Sequence, residues 1–245
     1  MARQEQAGEI INRAAVDVGL ISVTDPFSST NEGFTQMAGL LNSACRELSA
    51  MFEWEELTKE FTFNTTTDVT SGYADLPADY DRFIEATGWD LDNNVAVAGP
   101  LTAQQWAYLK GRNLASNTIY VTYRINNAKI QIYPEPPPSD VDCSFRYISR
   151  YFVKPDGESA ATTDYATASN DTIILDPLLV QKLLVVKFLN AKSLNSSSAM
   201  AEFENILRNR LGVNKGAQTL NIGGLGGAYP YLSGLRNLPD TNYGL

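Results

Sequence analysis

Residues 176–194, DPLLVQKLLVVKFLNAKSL, form the one long stretch of this 245-residue chain whose apolar side chains run nearly all the way round a helix. Asp176 suits an N-cap, because its carboxylate can accept from the first free backbone N–H groups. Pro177 suits the first helical position, where its missing N–H costs no intrahelical bond. Leu178, Leu179, Leu183, Leu184, Val185, Val186, Phe188 and Leu189 cannot all face one neighbour, so the stretch predicts a central helix with several elements packed round it. Lys182 and Lys187 interrupt a run already too short to span a bilayer, which argues against a membrane helix.

The neighbours of that helix can be read on both sides of it. From Gln4 to Val18, the residues Ala7, Ile10, Ile11, Ala14 and Val18 recur at helical spacing, and Gly19 is placed to end the helix. Ser29 and Glu32 match a capping box. Phe34, Met37, Leu40, Leu41, Ala44, Leu48, Met51 and Phe52 then trace one broad stripe to about Trp54, expected to lie against the central helix. Downstream, Met200, Phe203, Ile206, Leu207 and Leu211 predict a last helix over 198–211, stopped by Gly212.

Between these helices the period changes from helical to two. Phe61 and Phe63 alternate with Thr62 and Asn64, so a β region begins near Lys59, and a short strand is expected from Tyr73 to Leu76. Thr102 with Gln105 forms a second capping box, with Leu101 and Trp106 as a hydrophobic staple, and opens a short helix ending at Gly111. Ile119, Val121, Tyr123 and Ile125 alternate with polar or aromatic residues, Asn126-Asn127 offers a turn, and 129–133 returns, which together predict a β-hairpin. Asp142 to Val153 reads as another strand, 154–170 as a mobile polar loop, and Asp171 to Leu175 as a last strand. The fold class is therefore α+β: an α-helical bundle with a β-rich inserted domain and an extended C-terminal tail. The divisions fall at 1–58, 59–175, 176–212 and 213–245.

Composition bounds what such a chain can do. Hydrophobic residues make up 44% of it, enough for a real core, while a formal charge of -9 opposes nonspecific attraction to a polyphosphate. Cys45 and Cys143 are far apart on a predicted helix and a predicted strand, which fits reduced, buried thiols and no disulfide framework. The opening MARQEQAGEI has no apolar signal core, so no secretory or transmembrane targeting is expected. Histidine is absent altogether, which removes the side chain best suited to proton transfer near neutrality and the commonest transition-metal ligand. Asp90, Asp92 and Asn94 imitate the start of a calcium loop, but Val95 stands where glycine is needed and Leu101 where glutamate is needed, so they read as a polar turn. Asp79, Asp81 and Glu85 could supply the paired carboxylates of a glycosidase, or simply line a solvated turn after Leu76-Pro77. No catalytic residue, metal ligand or cofactor site is nominated.

Past Gly212 the chain becomes glycine-rich yet keeps large apolar groups. Leu220, Ile222, Leu225, Tyr229, Tyr231, Leu232, Leu235, Leu238 and Tyr243 cannot build a core of their own, and are read as anchors that order on a partner, the alternative being a frayed terminus.

The order of two helices, a β-rich insertion, two more helices and a tail resembles the head-to-tail adaptor proteins of tailed bacteriophages, the head-completion or tail tubular protein A-like group. The resemblance is carried by EIINRAAVDVGL, FTQMAGLLNSACRELSAMFEWEEL, YADLPADYDRF, GPLTAQQWAYLKG and the YPEPPP hairpin exit. It implies a non-enzymatic virion protein at the head–tail junction, assembled in the host cytoplasm as a homo-oligomeric ring, dodecameric in that family. It further implies that the C-terminal tail docks on the portal protein, that the β insertion meets a tail nozzle or fibre protein, and that genomic DNA passes through the channel without sequence-specific binding. An acidic wall suits that passage, since few phosphate contacts let the nucleic acid slide. No membrane is involved. The competing reading is a carbohydrate-binding or cell-wall-degrading tail module, which would need Trp89, Trp106 and Tyr108 exposed in a groove beside Asp79 or Glu85. A scaffolding or minor capsid protein that forms no ring is the third possibility.

Overall fold

The computed structural model describes residues 4–215 apart from 71, 86, 98, 112–121, 128, 134–136, 138 and 139. In chain order the elements are β1 (Glu5–Gln6), α1 (Ala7–Asp17), α2 (Glu32–Met51), β2 (Thr58–Asn64), β3 (Tyr73–Asp75), β4 (Tyr80–Phe83), β5 (Trp89–Asp90) and β6 (Val95–Ala96). They continue with α3 (Ala103–Gly111), β7 (Thr122–Asn126), β8 (Lys129–Tyr133), β9 (Asp142–Ser149), β10 (Val153–Lys154), β11 (Thr172–Ile173), α4 (Pro177–Ala191) and α5 (Ser197–Lys215).

Helix α4 is the hub that its sequence predicts. Asp176 Oδ1 accepts from the N–H groups of Leu178 and Leu179 at 3.0 and 3.2 Å, with Pro177 at the first turn. Helices α1, α2 and α5 all pack against α4. Their inward residues, among them Ile10, Ile11, Met37, Leu41, Leu48 and Phe203, close over Leu179, Val180, Leu183 and Leu184 in a single core. Leu178 is the exception, 36% exposed at the helix start. Both lysines of α4 reach its rim: Lys182 Nζ pairs with Asp17 of α1 at 3.1 Å and Glu202 of α5 at 3.0 Å, and Lys187 pairs with Glu47 of α2. Burial alone would lower the pKa of Lys182, but the two carboxylates outweigh it and hold the ammonium charged to higher pH than usual.

The structure corrects several boundaries. Helix α5 runs through Gly212 to Lys215, since a glycine without positive φ need not end a helix. The first helix starts at Ala7, because Glu5 and Gln6 instead pair antiparallel with Ile173 and Thr172. Gly19 does follow α1 in a left-handed conformation, φ 83°. The cap of α2 is Asn31, whose Oδ1 accepts from Gly33 N at 2.8 Å, while Ser29 Oγ accepts only from Asn31 N. The expected strand from 142 to 153 is two strands: β9 ends at Ser149, and β10 joins β1 and β11 in a small sheet of order β1-β11-β10.

The polar stretch 154–170 is anchored, contrary to the loose loop its composition suggests. Asn42 of α2 grips it as a second backbone would, with Nδ2 donating to Ala166 O at 3.0 Å and Oδ1 accepting from Ala166 N at 2.7 Å. Asp171 gathers the N–H groups of Thr167 and Ala168 at 2.7 and 2.9 Å. The same device holds residue 23, where Asn12 of α1 accepts from Val23 N and donates to Val23 O. Through Phe152, Val153, Ala166, Ile173 and Leu175 this whole return segment shares the core of the helices.

The insertion has a core of its own between two antiparallel sheets. In the five-stranded sheet β9 lies centrally, pairing with β2 from Thr58↔Ile148 to Asn64↔Asp142, and with β4 and β5 along its other edge. The second sheet has order β3-β8-β7. Phe63, Cys143, Phe145 and Tyr147 from the first sheet meet Ala74, Tyr123, Ile130 and Ile132 from the second. Phe145 stands at the centre, with Phe61, Phe83, Tyr123 and Tyr147 rings all within 6.3 Å. Because side chains alternate along a strand, Ile148 faces the opposite way and joins the helical core, so β9 is shared by both. Cys45 and Cys143 are free and buried; burial raises both thiols, Cys143 to about 12 with help from the carboxylates of Asp90, Asp142 and Asp92. The predicted hairpin is β7–β8, its pairing closing at Asn126↔Lys129, one residue beyond the turn read from the sequence.

Asn42→Ala should destabilise the chain by about 1–3 kcal/mol, since it orphans a buried N–H and a C=O at Ala166. Urea unfolding measures this, and an unchanged midpoint would show that the loop is held by its other contacts.

Candidate functional site

The nine residues nominated in the tail, Leu220 to Tyr243, lie outside the described residues. What the structure does define is how the insertion is seated on the bundle that the tail leaves from. Helix α2 ends at Met51 with no basic residue in its last turn, so its terminal carbonyls need donors from elsewhere. Arg82 of β4 supplies them: Nη2 donates to Ser49 O at 2.9 Å and to Phe52 O, while Nη1 pairs with Asp81 at 2.8 Å. Trp54 folds back beside this clamp, 2% exposed, its Nε1 donating to Leu48 O at 2.6 Å. A guanidinium from the insertion thus completes a helix of the bundle.

A second polar knot forms at the residue just before β4. Asp79 is 8% exposed and not the solvated turn residue its sequence neighbours suggest. Its carboxylate accepts from Lys59 Nζ at 2.6 Å, Ser149 Oγ at 2.8 Å and Tyr147 Oη at 2.9 Å, and its carbonyl accepts from Arg150 N. Burial pushes its pKa up, but the Lys59 ammonium and the two hydroxyls together outweigh that and hold it below the usual carboxylate value. Tyr147 is shifted upward by burial and by the same carboxylate. The knot ties β2, β9 and the turn before β4 where the two cores meet.

This arrangement does not build the groove that a glycan-binding or glycosidase reading requires. Trp106 is 4% exposed, edge-on to Tyr133 and covered by the Arg124 guanidinium 5.0 Å from its ring. Trp89 and Tyr108 are exposed, but on different elements, β5 and α3. Asp79 is committed to its cation and hydroxyls, and Glu85 points into solvent. Asp90 serves the β5–β6 turn by accepting from the N–H groups of Asp92 and Asn93, with Asn94 at φ 55°. Among the described residues no group of carboxylates and thiols is arranged to hold a metal ion, and no helix is long and apolar enough to cross a membrane.

Compared with protein families, the chain matches the SU10 adaptor protein family over residues 6–223, which includes the bundle, the insertion and the first tail residues. The chain belongs to this family. The adaptor is thus a structural protein of the head–tail junction of a bacteriophage virion, engaging portal and tail components, and not an enzyme. A comparison with curated proteins finds no match. The family match takes in Leu220 and Ile222 and stops before Leu225, so the more distal tyrosines, Tyr229, Tyr231 and Tyr243, lie beyond it.

Sequence reading missed Arg82 altogether and, for Asp79, the buried structural role. Apart from Asp81 beside Arg82, the partners of their side chains are 20 to 70 residues away, and neither sits in a motif that signals burial. Because Asp79's pKa is lowered on folding, its contribution is complete above the ordinary carboxylate value and is lost as pH falls through the lower folded value. The stability difference between the parent protein and Asp79→Asn should therefore shrink as pH drops from about 5 to about 3. Urea titrations across that range test this, and a pH-independent difference would count against the carboxylate's role.

Proposed function

We propose that the adaptor assembles as a ring beneath the portal and extends the DNA exit channel toward the tail. The observation that carries this reading is the family match over residues 6–223, joined to a helical body that carries a separately cored β insertion. In this division of labour the helices of 1–58 and 176–212 form the ring body, the insertion within 59–175 meets the next tail component, and 213–245 reaches the portal. A dodecamer is the expected ring. DNA passes without sequence-specific contact, in keeping with a net charge of -9.

Docking of the tail segment is driven by burial of its large side chains. Each of Tyr229, Tyr231, Leu232 and Leu235 contributes roughly 1.5–3 kcal/mol when fully buried, against roughly 1–2 kcal/mol per residue for fixing the backbone. Glycines raise that ordering cost, so the anchors are expected to act in concert, and repetition round a ring multiplies the gain. Ile222, Leu225, Leu238 and Tyr243 extend the same apolar series.

Deleting residues from Leu220 onward should abolish binding to purified portal while leaving the melting transition of the folded body unchanged. Light scattering of the adaptor alone and with portal reads both assembly states. Portal binding retained by the truncated chain would make the tail dispensable.

A further inference from the structure

The insertion's five-stranded sheet buries one face, while the other, beyond Ile148 where it meets the helical core, carries exposed residues. Along β2 and β9 the exposed Glu60 and Thr62 alternate with the half-buried Phe61 and buried Phe63, and the exposed Asp142 and Arg146 with the buried Cys143, Phe145 and Tyr147, while Ser144 on the Asp142–Arg146 side is itself buried. Register puts Glu60 opposite Arg146, Thr62 opposite Ser144, and Asn64 opposite Asp142, so these residues share the outer face. Trp89 pairs with Ser144 on that same face. Two residues on, Leu91 follows on the same side, its N–H bonded to Asp142 O at 2.8 Å, while Asp90 between them is buried. Both Trp89 and Leu91 are 47% exposed, a large aromatic and a large aliphatic side by side on an open sheet.

Charge is not spread evenly over this face. Near the bundle Glu60 stands opposite Arg146, but at the far end Asp142, Asp140, Asp68 and Asp92 collect round Asn64 and Leu91. Asn64 Nδ2 bonds Asp142 at 2.7 Å and Asp140 at 3.3 Å, Asp68 accepts from Asn64 N at 2.7 Å, and Asp92 accepts from Asp142 N at 2.7 Å. Among the described residues none of these four carboxylates has a cationic partner. An apolar pair bordered by unneutralised carboxylates has the anatomy of a protein-binding hot spot. Its border repels DNA and any acidic surface, and attracts Lys and Arg.

We propose that this outer sheet face, with Trp89 and Leu91 as anchors and Asp68, Asp92, Asp140 and Asp142 as rim, seats a tail protein that presents an apolar pocket bordered by Lys and Arg. This rests on the portal-to-tail reading above and specifies its distal contact. The buried Asp90 contributes indirectly, by fixing the turn that carries Leu91.

The test uses phage heads assembled without the adaptor, supplied with the purified full-length protein and then with the phage's remaining tail proteins. A Trp89→Ser/Leu91→Ser variant should keep the parent's light-scattering mass and bind heads as the parent does, yet give at least tenfold fewer tailed particles by electron microscopy. Asp92→Asn/Asp140→Asn should weaken tail attachment and flatten its salt dependence between about 0.05 and 0.5 M, where screening shortens the reach of exposed charges. Where the double serine variant fails to fold, Leu91→Arg on the exposed turn makes the same test. Normal tail attachment by these variants overturns the proposal. So does loss of self-assembly, which would assign the face to a neighbouring copy of the chain. If the unsubstituted protein does not join heads at all, it is the portal-to-tail reading that fails, and this contact falls with it.

Discussion

A helix with apolar residues on every side has no stable place at a surface, and that constraint organises this molecule. Leu179, Val180, Leu183, Leu184 and Val186 of α4 are each no more than 5% exposed, which takes α1, α2, α5 and the return segment through Leu175 to achieve. These neighbours come from opposite ends of the chain, so the bundle closes only after the insertion between them has been made. The two lysines of α4 are tolerated because each runs its stem along the helix to a carboxylate on a neighbouring helix. They mark the seams between α4 and its three partners.

The bundle also decides how the insertion stands. Strand β2 departs directly from the short turn at Leu57, which is buried among the helices, and β9 returns to the same place at Ile148. Arg82 fastens the neighbouring strand to the end of α2, and Asp79 locks β2 to β9 just beside it. The insertion is therefore held by several independent bonds at its root, while further out its two sheets pack on each other.

Features carried by adjacent residues were legible in the sequence. Asp176-Pro177 announces α4, Thr102 and Gln105 form the reciprocal capping pair they suggest, and the alternation over 61–63, 122–125 and 129–133 falls in strands, residues 119–121 of that run lying outside the described ones. Most short strands were not legible, because β1, β5, β6 and β10 have two residues each and no period can be read from two, whereas β11 lies inside the strand expected over 171–175. The Ser29–Glu32 spacing suits a capping box, yet Asn31, an equally good acceptor two residues on, is the cap, and only the backbone geometry separates them. The segment 154–170 looked loose because it has few large apolar groups; its anchors are Asn42 and Asp171, polar residues whose role depends on partners remote in sequence. Of the function only the family resemblance was legible, since a docking surface leaves no local signature until strand register shows which residues share a face.

Strands β2 and β9 both enter the insertion from its root, with Thr58 opposite Ile148 nearest the helices and Asn64 opposite Asp142 at the far end. Tension between the two ends is then carried along two covalent backbones in parallel. The hydrogen bonds between them lie across the load and are not asked to bear it. Unzipping would require pulling the two roots apart sideways, and there the Lys59–Asp79–Ser149 tie already spans the gap. An arm fastened in this way resists being drawn out lengthwise far better than a hairpin joined to its base by a single strand.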